Sequence, residues 1–414
     1  MAAWGIDEHR IDTALAAVRA EPVSEPERDD LFARAVWSVL IEPGDSVAGK
    51  LIAAVGADRA ARMIIDRAPA SALVEACEGD ITHEKAIDAL DRWLPRLRSD
   101  DVLRSLENAA RCRARMVVPH DRHWPEGFAA LGPSEPVLLW ARGDTALLRR
   151  PGVAIVGARA ATGYGEHVAM EFTAGLAARG VAIISGGAYG IDGMAHRAAL
   201  ASAADTIAVL AGGVDRLYPS GHDALLTRVI ADGLVIGEAP CGSAPTKWRF
   251  LQRNRVIAAL ARATVVVEAG HRSGALSTAN HALDIGRPVG AVPGAITSAA
   301  SAGCHRIIRE GFAVCVTSVT EIMQLAFEGD GVLELPADDD AAASSGDDPV
   351  HTRVLDALRP RRGQTTLDIA RAVGESESRV RAVLGLLSID DRALCGDDAL
   401  WRRPENRAKP SSAE

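Results

Sequence analysis

Clustered cysteines are missing from this chain. The six present (Cys77, Cys112, Cys241, Cys304, Cys315, Cys395) are scattered, with no C-x-x-C pair and no histidine cluster beside them. That pattern excludes a zinc framework or a disulfide scaffold, so no metal is expected and the thiols read as reduced and buried. Long apolar runs are also missing, and Met1 to Ala20 has no basic stretch leading into an apolar one. A membrane span and a secretory leader are therefore not expected, and the chain reads as cytoplasmic, without a membrane partner. Aromatics are scarce at 4%, too few for an aromatic-laden β sandwich. Positive charge falls short as well: 46 Lys and Arg face 55 Asp and Glu, a net charge of −9. Coating a polyanion by bulk attraction is excluded, and binding nucleic acid would need a local basic site. Neither G-x-G-x-x-G nor G-x-x-x-x-G-K-[ST] occurs, which disfavours a nicotinamide or flavin cofactor and an ATPase. No cofactor is expected.

What is there suits a globular chain of two or three domains over 414 residues, with 48% hydrophobic and 24% charged residues. From Pro26 to Ala110 apolar residues recur at three- and four-residue spacing, as at Leu31, Val36 and Leu40, predicting short helices and an N-terminal helical domain over 1–111. The pattern then changes. Val117–Val118 and Val137–Trp140 are short apolar runs, and from Val153 such runs alternate with helical stretches. They are Val153–Val156, Val181–Ile184, Thr206–Leu210, Leu234–Ile236, Thr264–Glu268, Val289–Val292 and Ala313–Val316. Unbroken Val/Ile/Ala runs suit strands buried on both faces. The expected fold of 112–330 is α/β: a Rossmann-like, doubly wound, mostly parallel sheet. An Asp/Ala/Ser/Gly-rich stretch predicts an acidic linker over 331–349. Residues 350–403 read as helix–helix–turn–helix–hairpin, a winged-helix domain, followed by a disordered tail over 404–414.

Ligands of such a sheet bind outside the C-terminal ends of its strands. There the first turn runs from Gly157 to Gly165, with Arg159, Thr162 and Tyr164 inside it. Its glycines and the following helix N-terminus can meet an anion, and Arg159 offers a fork for phosphate oxygens. Tight strand–helix packing explains the same glycines. The second turn, Ser185 to His196, contains Gly186. Asp192 and His196 share a helix face in it, read as a loop-holding pair in which Asp192 caps backbone groups and His196 bonds to it. Lys247 to Arg255 packs four cations (Lys247, Arg249, Arg253, Arg255), Trp248, Phe250 and Asn254 into nine residues without an acid. Cations for the backbone and π-faces for bases are what a single-strand binder needs, although a solvated basic helix face is the simpler alternative. In a fourth turn Glu268 ends a strand, and Ser273, Gly274 and Thr278 open the next helix, as caps or phosphate donors. No catalytic Ser–His–Asp arrangement follows from the spacing.

In order along Val117 to Gly311, these motifs resemble the DprA/Smf family. The match runs through Gly157-Ala-Arg159, Ser185-Gly186, Gly190-Ile-Asp192, Ala211-Gly-Gly213 with Tyr218-Pro219, Glu238 and Phe250 with Arg253-Asn-Arg255. It continues through Val267-Glu-Ala269, Ser273-Gly274 and Pro293-Gly294. The resemblance implies a SAM-like fold for the helical domain. It also implies single-stranded DNA as ligand, homodimerisation, loading of a RecA-type recombinase on incoming strands in natural transformation, and no catalytic activity. Arg159 becomes a phosphate ligand, and Lys247 with Phe250, Arg253, Asn254 and Arg255 the main DNA contacts. The sequence departs from the family at Tyr189, where a basic residue is usual, and at Leu251, where proline is usual.

Two other readings compete. The same architecture resembles nucleotide phosphoribohydrolases, but their P-G-G-x-G-T-x-x-E run is absent. A duplex-DNA regulator would need more donors than Arg379 and Arg381, beside Glu375 and Glu377, in the candidate recognition helix.

Overall fold

The computed structural model describes residues 6–19, 23–327, 349–360, 362–389, 392–396 and 399–404. Apart from Pro349 and Pro404, the expected linker and tail lie outside these residues.

The chain opens with α1 (Glu8–Ala16), α2 (Glu25–Leu40), α3 (Ser46–Val55), α4 (Ala57–Ile65), α5 (Ala70–Ala76), α6 (His83–Trp93) and α7 (Ser99–Arg111). Asp45 caps α3 by accepting from the Val47 and Ala48 amides, and also accepts from the indole of Trp93. Trp37 packs edge-on against Trp93 at 5.2 Å and donates to the carbonyl of Ala57. Each tryptophan thereby buries its body and still satisfies its N–H. These helices share one apolar cluster with Leu210, Leu226, Val229 and Val235 of the following sheet region.

That sheet has nine strands: β1 (Arg115–Val117), β2 (Leu139–Gly143), β3 (Gly152–Val156), β4 (Ala182–Ser185), β5 (Thr206–Leu210), β6 (Leu234–Gly237), β7 (Ala263–Val266), β8 (Val289–Ala291) and β9 (Val314–Cys315). Their spatial order is β1-β2-β6-β5-β4-β3-β7-β8-β9. β1 and β2 join antiparallel, and every pair from β6 to β9 is parallel. The connecting helices are α8 (Gly163–Ala177), α9 (Ile191–Ala201), α10 (Asp223–Asp232), α11 (Lys247–Leu260), α12 (Ala275–Asp284), α13 (Ala302–Arg309) and α14 (Val319–Phe327). The expected mostly parallel α/β sheet is therefore present. Val153, Ile155, Ile183, Ile184, Val265 and Val266 are fully buried, each contributing roughly 1.5–3 kcal/mol by leaving water. The strand order reverses between β3 and β7, which opens a crevice at their C-terminal ends. β7 stops at Val266 rather than Glu268. The Val267 amide still donates to Val156, but Glu268 turns away to serve another element.

The last described part contains α15 (Pro349–Ala357), α16 (Thr366–Val373), α17 (Glu377–Ile389) and the antiparallel pair β10 (Leu394–Cys395) and β11 (Trp401–Arg402). Thr365 caps α16, and Gly374 ends it in the left-handed conformation that glycine takes without strain. The third helix, α17, lies against α8 and α9; a Cβ on its Gly385 would stand 3.2 Å from Ser202 Oγ. No helix among the described residues is long and apolar enough to cross a membrane.

Candidate nucleic-acid interface

At the crevice, the protein's own carboxylate fills the first anion position. Glu268, buried, accepts from the amide of Thr162 at 2.9 Å and from its hydroxyl, directly at the start of α8. A side chain on Gly165 would collide with that carboxylate, and one on Gly157 would strike Ile191. The glycines of this turn thus serve close packing, and Glu268 already satisfies the positive helix end. Thr162 is committed to Glu268 and to capping the Gly165 amide. Tyr164 donates to the carbonyl of Pro293 and leaves 49% of its surface exposed. Burial, then the nearby Glu268 charge, raises its pKa.

The cation cluster of α11 divides sharply. Thr246 caps this helix by accepting from the Arg249 amide. Arg249 forks onto both oxygens of Glu42 at 2.8 and 3.0 Å, tying α11 to the chain just after α2. Arg255 is 3% exposed and places one nitrogen 2.7 Å from each oxygen of buried Glu238. Burial raises the Glu238 pKa, against the opposing pull of Arg255. Arg253 donates to the carbonyls of Gly186 and Val209, joining the ends of β4 and β5. Burial lowers its pKa to about 10. Asn254 accepts from Arg253 and donates to Gly274, pinning the turn before α12. Two residues expected to face DNA with strong charges, Arg253 and Arg255, are therefore internal braces. Their charges are consumed by carbonyls and a carboxylate from distant parts of the chain.

What remains outside is aromatic, with few cations. Phe250 is half-buried; the Arg159 guanidinium stands over its ring at 4.9 Å, Arg253 lies 5.7 Å from it, and Tyr218 tilts against it at 5.7 Å. Lys247 and Arg159 are exposed and have no carboxylate partner among the described residues. All three tyrosines of the chain, Tyr164, Tyr189 and Tyr218, follow β3, β4 and β5 respectively and are 45–49% exposed. Trp248 and Leu251 add exposed apolar surface. Tyr189 accepts from the Gly221 amide at 3.2 Å and packs edge-on to His222, whose Nδ1 sits 3.1 Å from the Gly187 carbonyl. Tyr218 escapes a reading of charge and glycine spacing. Its exposure beside Phe250 depends on the turn after β5.

The second turn holds its shape differently from the expected pairing. Asp192 accepts from the amides of Gly186 and Ala188, as a capping carboxylate should. Burial raises its pKa despite Arg253 nearby. His196 bonds Thr206 of β5 at 2.8 Å, not Asp192, because adjacent parallel strands bring that hydroxyl to the ring. Burial, then the charges of His222 and Arg253, drives the His196 pKa down to about 3. Gly186 is held free of a side chain by the Arg253 guanidinium packed on it. Ser273 caps the Ala275 amide, Gly274 lies exposed at the helix start, and Thr278 is buried within α12, away from solvent.

The sequence profile of the DNA recombination-mediator protein A family matches residues 115–327. A DNA processing protein DprA of Mycobacterium tuberculosis is 46% identical over 312 residues, covering 72% of this chain and 79% of that relative. Protein Smf of Escherichia coli is 41% identical over 190 residues, 46% of this chain and 50% of the relative. The X-ray structure of DNA processing protein A from Streptococcus pneumoniae covers 70% of this chain and 95% of its own, at 29% identity and a TM-score of 0.56. With the matched core, the crevice and the motif residues in place, the chain belongs to the DNA recombination-mediator protein A family, the DprA/Smf proteins of DNA processing.

Proposed function

We propose that this chain binds single-stranded DNA at the strand ends, with bases on the aromatic surface around Phe250 and phosphates at Arg159 and Lys247. The observation that carries this reading is Phe250 capped by Arg159 and flanked by Tyr218, beside exposed Tyr189, Trp248 and Lys247. Stacking faces with a few cations favour unpaired bases, whereas reading a duplex needs an element shaped for a groove. The role is binding, not catalysis: Glu268, the acid at the crevice, is buried on Thr162 and poorly placed as a general base.

Within that role the chain protects incoming DNA and loads a RecA-type recombinase as a cytoplasmic homodimer. Its organisation is a helical domain over 1–111, the core over 112–330 and a winged-helix domain over 350–403. Gly157, Gly186, Arg253, Asn254, Arg255, Ser273, Gly274 and Thr278 support the binding surface from behind or at its rim. Because α17 lies on α8 and α9, the winged helix contributes protein contact or accessory DNA contact rather than groove reading. Fluorescence anisotropy with labelled oligo-dT tests the binding. Saturable, salt-sensitive binding that weakens in R159A and K247A is expected; affinity no better than that of a matched control protein refutes it.

A further inference from the structure

We infer that Cys112 and Cys241 form a two-electron oxidation site, at which a peroxide converts a preassembled pair of thiols into a disulfide joining the N-terminal helices to the core. Cys112 follows the last turn of α7, and Cys241 lies in the turn between β6 and α11. The two side chains hydrogen-bond each other. Independent contacts fix the same approach: a Cβ on Gly242 would stand 2.9 Å from Asn108 Nδ2 of α7, and the Gly242 amide donates to Asp215 at 2.8 Å. Cys112 Sγ also reaches the Ala109 carbonyl at 3.3 Å.

The pair is asymmetric in the way a reactive and a resolving thiol must be. Cys112 is half-buried and reachable from solvent, whereas Cys241 is 4% exposed. The hydrogen bond from Cys241 holds the Cys112 thiol below the ordinary range, and the same contact together with burial pushes Cys241 up. Cys112 is therefore the thiolate and the nucleophile. Its sulfur attacks one peroxide oxygen, the O–O bond breaks, and a sulfenic acid and one water result once the leaving oxygen is protonated. The Cys241 sulfur then attacks the sulfenic sulfur and expels a second water. Both thiols have lost hydrogen, and the peroxide has been reduced to water. No other cysteine offers this arrangement: Cys304 is buried against backbone carbonyls, Cys77 is buried alone, and Cys315 and Cys395 are exposed.

The Cys241 turn leads within six residues to Lys247, so the bond would tether the segment that carries the basic end of α11. The site itself does not depend on DNA binding. Peptide mapping of the full chain after graded hydrogen peroxide tests it without a variant. The expected product is a Cys112–Cys241 crosslinked peptide, within one chain, that dithiothreitol reverses. In C241S, peroxide should instead carry Cys112 on to sulfinic acid. Sulfinic acid at Cys112 in the wild-type chain, unchanged thiols at both positions, or a disulfide involving Cys315 in place of this pair would each overturn the assignment.

Discussion

The guanidinium of Arg159 lies 4.9 Å above the ring of Phe250, a contact between the turn after β3 and the first turns of α11. It joins a cation and a π-face into one unit at the mouth of the crevice. Such a pair can meet a phosphate on one side while keeping an aromatic surface beside it.

Only cations that reach solvent should contribute to the salt dependence of DNA binding. R159A and K247A are each expected to flatten the slope of log K against log salt by about 0.7, the single-strand value for one phosphate contact. R249A should leave the slope unchanged, because its charge is spent on Glu42. It should instead lower stability by about 1 kcal/mol, read from urea unfolding. Equal slope changes in all three variants would argue for a continuous basic face on α11.

Arg255 and Glu238 should behave as a structural pair. R255A leaves a carboxylate buried without its partner and is expected to cost roughly 3–5 kcal/mol in denaturant unfolding. The double variant R255M with E238L should recover most of that loss, since both charges are then gone. If R255A folds with wild-type stability but fails to bind DNA, Arg255 is a DNA contact after all.

His196 sets a pH dependence of stability. Its folded pKa of about 3 lies below its ordinary 6.5, so folding favours the neutral ring. The stabilisation is complete above the unfolded pKa and is lost as pH falls from 6.5 toward 3, by up to about 1.4 kcal/mol per pH unit. H196Q can keep the bond to Thr206 and cannot protonate. Its unfolding free energy should fall less steeply over that window, and parallel pH profiles for the two proteins would contradict this origin.

Tyr189 stands where its relatives' pattern leads one to expect a cation, and its ring is fixed by Gly221 and His222. Y189A is expected to weaken oligo-dT binding by about 1–3 kcal/mol without changing the salt slope, the mark of a lost stacking face. Y189K should steepen the slope by about 0.7. A flatter slope in Y189A would mean that Tyr189 acts through phosphate.

The sheet was legible because its strands are buried on both faces and so appear as unbroken Val/Ile/Ala runs, from Val153–Val156 to Val289–Ala291. The glycine turns were legible as places, but their occupants were not. Glu268 reaches Thr162 across 106 positions, and no local pattern announces that a carboxylate will fill a helix start. The same reason explains Arg249 and Arg255. A run of cations without acids looks solvent-facing, yet its counter-charges come from Glu42, 207 positions away, and Glu238 on the neighbouring strand's end. Asp192 and His196 share a helix face as their spacing implies, but strand pairing offers the histidine a better partner in Thr206.

The central claim is that bases on the Phe250-centred aromatic surface supply a large part of the binding, with few phosphate contacts. The most direct test compares oligo-dT with an abasic oligonucleotide of equal length and charge, by anisotropy at one salt concentration. The account predicts tighter binding of oligo-dT by about 1–3 kcal/mol for each stacked base. Equal affinity for the two strands would contradict it.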